Sequence, residues 1–94
     1  MTFNDAVNNK ALEVAKIVIG KQKDYGKDNI LKSVVDPKVA IAVRLQDKLA
    51  RLANLAQNNK EPNNESLLDT AHDIVGYGLI LAMVIEDTFE LPLE

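Results

Sequence analysis

The sequence predicts an all-α fold, with three main helices in an antiparallel bundle completed by oligomerisation. Three observations lead there. Apolar residues recur at helical rather than alternating spacing in three stretches of the chain. Asp36-Pro37 gives an unambiguous helix start in the middle of the sequence. The run over 74–85 (I-V-G-Y-G-L-I-L-A-M-V-I) is apolar on every side, so one neighbouring face cannot cover it and a partner chain is the simplest way to bury the remainder. At 94 residues the chain reads as one domain, 1–94, with a core modest enough that self-association is expected.

In the first stretch Phe3, Val7, Ala11, Val14 and Val18 keep helical spacing. With Thr2 or Asn4 as cap, they place a helix from about residue 4 to about residue 22, Gly20 lying inside or near its end. Residues 21–36 show no sustained period and read as a structured loop with one short helical turn around 30–34. The second helix starts at Asp36, which caps, and Pro37, whose missing N–H is no loss at the first helical position; it continues to about Gln57. Ile41, Leu45, Leu49, Leu52 and Ala56 form its apolar stripe, beside a polar stripe rather than opposite it. Residues 58–64 (N-N-K-E-P-N-N) form a turn. Asn63 or Asn64 caps a third helix that runs to about Asp87, and Pro92 marks a short tail.

Composition narrows the function. With no cysteine there is no disulfide framework, thiolate metal site or cysteine nucleophile, which suits a reducing interior. A net charge of -3 provides no global attraction to nucleic acid or anionic membranes, so direct binding to either is not expected. The N-terminus lacks the basic-then-apolar layout of a signal peptide. The 74–85 run also falls short of the roughly 20 apolar residues that span a bilayer. A cytoplasmic setting is the expectation.

The chemistry concentrates between Arg44 and Tyr77. Glu65, Asp69 and Asp73 stand at i, i+4 and i+8, stacking three carboxylates on one helix face. Each like-charged pair costs an isolated helix roughly 0.2–0.5 kcal/mol, so something nearby must compensate. The preceding helix offers Arg44, Asp47, Lys48, Arg51 and Asn54. Folding the chain back over the short connection brings Arg51 level with Asp69 and Asp47 level with Asp73. Two readings stay open: Arg44 and Arg51 neutralise the acidic stripe, or Asp47, Glu65, Asp69 and Asp73 hold a divalent cation.

The other candidates carry paired readings too. Arg44, Lys48 and Arg51 suit phosphate, or bundle salt bridges. Asp47 serves as a metal ligand or water-orienting base, or pairs on its own helix. Lys21, Lys23, Asp24 and Tyr25 combine charge with an aromatic ring, suited to phosphates on lysine and a base stacked on Tyr25, or to packing the loop on the bundle. Asn29 and Asn54 offer amides to a base or sugar edge, or satisfy backbone groups. Tyr77 prolongs the 65-69-73 line, so its hydroxyl reaches the site or belongs to the core. His72 points about a helix face away from Asp73 and reads as structural.

These residues resemble the phage and bacterial family called nucleotide-modification-associated domain type 1. The likeness is carried by K-x-x-D-Y-G at Lys21, Asp24, Tyr25 and Gly26, V-R-L-x-D-K-x-x-R-L-x-N-L over 43–55, E-S-L-x-D-T over 65–70 and D-I-x-G-Y over 73–77. Their order and spacing carry it across about 21–80. The family is in turn similar to the all-α MazG and dimeric dUTPase type of nucleoside triphosphate pyrophosphatase. The resemblance implies a nucleotide or nucleotide-derived ligand and the host cytoplasm for a phage-encoded protein, while size and the apolar 74–85 run give the expectation of a homo-oligomer of two or more copies. It also implies Mg²⁺ on Asp47, Glu65, Asp69 and Asp73, with Arg44, Lys48 and Arg51 stabilising phosphate charge while a metal-bound water attacks. The chain departs from the MazG-like pattern of E-x-x-E followed by E-x-x-D, having Arg44 and Asp47 in place of the two glutamates and Asp69 and Asp73 four apart. Losing carboxylates weakens a magnesium cage more than it weakens nucleotide binding, because arginine holds phosphate without a metal. Three functions follow: a Mg²⁺-dependent pyrophosphohydrolase, a binder that sequesters a nucleotide signal or regulates an enzyme, and a purely structural helical bundle.

Overall fold

A computed structural model describes residues 1–58 and 64–94, with side chains from residue 66 onward in the second stretch. The regular structure among the described residues is all helical, with no strand: α1 Phe3–Tyr25, α2 Asp28–Leu31, α3 Pro37–Gln57 and α4 Asn64–Ile85. The 59–63 part of the turn, with the cap read at Asn63, lies outside the described residues, and Asn64 is the first residue of α4.

α1 opens with a reciprocal capping box: the Thr2 hydroxyl accepts from the Asp5 N–H at 3.1 Å and the Asp5 carboxylate accepts from the Thr2 N–H at 3.1 Å. The helix runs to Tyr25, beyond its expected end near residue 22. K-Q-K-D-Y contains no helix breaker, so Lys21, Lys23, Asp24 and Tyr25 ride on the last turns of a helix and not on a loop. Gly26 stops it, with φ 72 and ψ 177, and its N–H donates to the Gln22 carbonyl at 2.9 Å. That backbone region is essentially closed to side-chain-bearing residues. No heavy atom lies within 4 Å of an added Cβ, so Gly26→Ala isolates the backbone cost. The substitution should remove about 1–3 kcal/mol of stability, read as a shift in the urea midpoint at unchanged slope.

α3 begins where Asp36-Pro37 places it, the Asp36 side chain accepting from the Lys38 N–H at 2.8 Å. Its inner face differs from the expected stripe. Ile41, Leu45, Lys48, Leu52 and Leu55 face inward at alternating spacings of four and three, whereas Leu49 is 53% exposed and Ala56 lies outside. This is the seam geometry of two helices packed side by side, and a lysine holds one of its positions.

The core gathers Ile30, Ile41 and Phe89, with Leu45, Tyr77, Ile80 and Val84 packed around them. Phe89 gets there because α4 ends in a Schellman turn: Asp87 takes φ 60, its N–H donates to the Val84 carbonyl and the Thr88 N–H to that of Met83. The chain beyond α4 is therefore partly core. α1 lies across α4 at Gly76, where an added Cβ would sit 3.3 Å from a Val18 methyl.

The assembly is open. Its radius of gyration is 14.7 Å, against roughly 12 Å for a compact chain of this length. Residues 3–13 of α1 are all exposed. By length and composition Ser66–Ile85 suffices to cross a membrane, with a mean hydropathy of 1.4 over its best window, a longer apolar segment than the 74–85 run suggests. Thr70, His72 and Asp73 interrupt it and turn inward.

Candidate functional site

Three helices meet at Asp73. One carboxylate oxygen accepts from Lys21 Nζ of α1 at 2.8 Å, the other from Lys48 Nζ of α3 at 2.9 Å. Lys48 arrives because it occupies an inward position of α3, and Lys21 because α1 is long enough to carry it over α4. Asp73 is 19% exposed. Burial pushes its carboxyl up, but the bonds and charges of Lys21 and Lys48 outweigh that and hold it below the ordinary aspartate range. Lys21 is raised, chiefly by its hydrogen bond to Asp73.

A carboxyl titrating lower in the folded than in the unfolded chain contributes stability that is fully present above the unfolded value. That contribution is lost as pH falls through the folded value. Acid should therefore destabilise the wild type through this group, and Asp73→Asn should flatten that part of a plot of unfolding midpoint against pH.

Around the ion pairs lies an open cavity of about 270 Å³. α1 supplies Val18, Lys21, Gln22 and Tyr25; α2 supplies Asn29; α3 supplies Lys48; α4 supplies His72, Asp73, Gly76 and Tyr77. Six sequence candidates, Lys21, Tyr25, Asn29, Lys48, Asp73 and Tyr77, thus share one cavity. Two ammonium groups against one carboxylate leave it net positive. Tyr25 is 68% exposed and presents a ring at the rim, while Tyr77 packs against the core.

The remaining candidates stand elsewhere. Arg44 donates through Nη2 to the Asn29 carbonyl at 2.9 Å, fastening α2 to α3, while its buried Nη1 has no hydrogen-bond partner among the described residues. Arg51 donates through Nε to the Thr70 hydroxyl at 3.1 Å, and that hydroxyl donates to the Ser66 carbonyl at 2.8 Å. The cations paired with Asp73 are therefore lysines, not Arg44 and Arg51. Lysine reaches Asp73 because the α3 seam turns residue 48 inward and leaves residue 47 outside. Asp47 and Asp69 are exposed and make no hydrogen bond or ion pair among the described residues. No three of His, Cys, Asp and Glu converge among those residues, and the Glu65 side chain lies outside them. Asp24 is exposed. Asn54 accepts from the Asn58 side chain at 3.0 Å and does not line the cavity.

His72 is buried, its Nε2 3.4 Å from Lys10 Nζ, which also pairs with Glu13 at 2.6 Å; it lines the cavity because α1 overlies that face of α4. Gln22 and Gly76 are lining residues that sequence reasoning missed. The helical spacing of Val18, Gln22 and Tyr25 was the available signal for Gln22, obscured by ending the helix too early. Lys23 lines a second cavity of about 540 Å³ between α1, α4 and the tail, mostly apolar, with Glu94 as its other charged residue.

No protein-family model, curated protein or solved structure matches this chain at a significant level.

Proposed function

We propose that this chain is a phage-type nucleotide-binding protein whose ligand places its phosphates on Lys21 and Lys48 and its base against Tyr25. One observation carries the reading: two lysines from different helices converge on one point of a net-positive cavity with tyrosine at its rim. Ligand pockets typically enclose about 300–1,000 Å³, so this cavity suits the phosphates and sugar, with the base at the mouth. Asn29 and Gln22 supply amides for sugar or base edges. The likeness to the nucleotide-modification-associated family points the same way.

Binding without turnover is the form favoured here, as a sequestering or regulatory protein, because Asp73 is already held by two lysines. The hydrolytic form requires Mg²⁺ to take Asp73 from them, together with Asp47, Asp69 and Glu65. Its support is that Asp47 and Asp69 are exposed and make no ion pair among the described residues, hence are accessible to a cation. Phosphorus NMR of the protein with a pool of ribo- and deoxyribonucleoside triphosphates and Mg²⁺ separates these forms. Shifted or broadened signals without products are expected; new monophosphate and pyrophosphate signals would make it a pyrophosphohydrolase, and an unchanged spectrum would leave a structural bundle.

The working form is a homo-oligomer in the cytoplasm. The pairs Lys48–Asp73 and Arg51–Thr70 run in opposite order along α3 and α4, which supports an antiparallel pair. Leu68, Ala71, Val75, Gly78, Ala82 and Ile85 are all exposed at alternating spacings of three and four, which supports a second copy packing along α4.

A further inference from the structure

We propose that Asp73 occupies the phosphate seat in the ligand-free protein, and that an anion binds by displacing it from Lys21 and Lys48. This rests on the nucleotide-binding reading of the same cavity. The carboxylate bridges the two ammonium groups through separate oxygens, at 2.8 and 2.9 Å, as two oxygens of a phosphate would. Neither lysine has another hydrogen-bonding or ion-pair partner among the described residues. The side chains of Lys21 and Lys48 are 54% and 31% exposed, and that of Asp73 is 19% exposed. Solvent therefore reaches the cations more readily than the anion they hold.

The occupied seat has a chemical consequence. With Asp73 in place the three groups sum to one positive charge; with Asp73 turned away, the two lysines present two. A singly charged ligand would exchange one carboxylate for an equivalent and gain little. A diphosphate or triphosphate end brings more charge and more acceptor oxygens than the carboxylate, so it wins the exchange. The internal carboxylate thus sets a threshold that selects polyphosphate over monoanions. Among the described residues the groups facing Asp73 are Lys21 and Tyr25 from α1, Lys48 from α3, and His72 and Tyr77 from α4; none of these is a second carboxylate that could take over its place.

The test is calorimetric titration of inorganic diphosphate and acetate into wild type and Asp73→Asn at one pH and salt concentration. The wild type should bind diphosphate and discriminate against acetate. Asp73→Asn should bind diphosphate roughly tenfold tighter or more, the scale of one charge-assisted interaction released to the ligand, and should gain affinity for acetate by a similar factor. Equal or weaker diphosphate binding by Asp73→Asn, with or without Mg²⁺, overturns the displacement while wild-type binding keeps the nucleotide reading. Failure of both proteins to bind overturns both. A second measurement needs no variant: the side-chain carboxyl carbon signal of Asp73 in the wild type should move as diphosphate saturates the protein. A signal that stays in place while diphosphate binds also overturns the displacement.

Discussion

Replacing Lys48 by methionine should weaken nucleotide binding by about ten- to a hundred-fold, because a hydrogen bond from a charged donor to phosphate contributes about 1.5–3 kcal/mol. The fold should survive. Lys48 sits in the inward seam of α3 with Leu45 and Leu52, so methionine keeps its apolar stem packed where the ammonium now leaves the core. Asp73 would retain Lys21. Calorimetry with deoxynucleoside triphosphates checks the affinity, and the far-ultraviolet dichroism spectrum checks the fold. Binding unchanged in Lys48→Met would remove this lysine from the site. Arg44→Met is the contrast: Arg44 only fastens the Asn29 carbonyl, so any loss there is indirect.

The largest effect on stability should come from Ile41→Ala. Ile41 is fully buried and packs with Ile30 and Phe89, residues that tie α2 and the chain end to α3. Removing its side chain from a closed environment costs about 2–5 kcal/mol, the transfer contribution plus the cavity left behind. In a domain of this size each kcal/mol lowers the melting temperature by about 4–8 °C, so the loss should approach or abolish folding at 37 °C. Protein concentration must be held fixed, since self-association would make the melting temperature depend on it. An unchanged melting temperature would mean that Ile41 is not central to the core. Leu49→Ala on the same helix should cost far less, because Leu49 is already half exposed.

That contrast shows where the sequence was legible. The start of α3 was plain, because Asp36 and Pro37 act through local chemistry that no tertiary contact needs to supply. The end of α1 was not: charge and lack of apolar period over K-Q-K-D-Y read as loop, yet nothing there opposes a helix, and the true stop is the backbone of Gly26. The α3 stripe was half right. Hydropathy favours Leu49 over Lys48, but packing side by side with α4 alternates spacings of four and three, and this brings the lysine inward to its carboxylate.

The site followed the same logic. Lys21, Tyr25, Asn29, Lys48, Asp73 and Tyr77 were legible as residue types suited to phosphate, base and sugar, although their assembly into one cavity depends on how α1 crosses α4 at Gly76. Pairing by helix register set Asp47 level with Asp73, one residue away from the observed partner. On a helix one residue is about 100° of rotation, enough to turn Asp47 to solvent and Lys48 to the site. His72 lines the same cavity, since its angular distance from Asp73 on α4 matters less once α1 covers both.

The most direct test of the central claim is to map backbone amide signals of the wild-type protein as a deoxynucleoside triphosphate is titrated in. Shifts should cluster at Lys21, Tyr25, Asn29, Lys48, Asp73 and Tyr77, and should vanish in the Lys21→Met/Lys48→Met double variant. Shifts confined to the apolar cavity beside Lys23 and Leu93, or no shifts at saturating ligand, would contradict nucleotide binding at the three-helix junction.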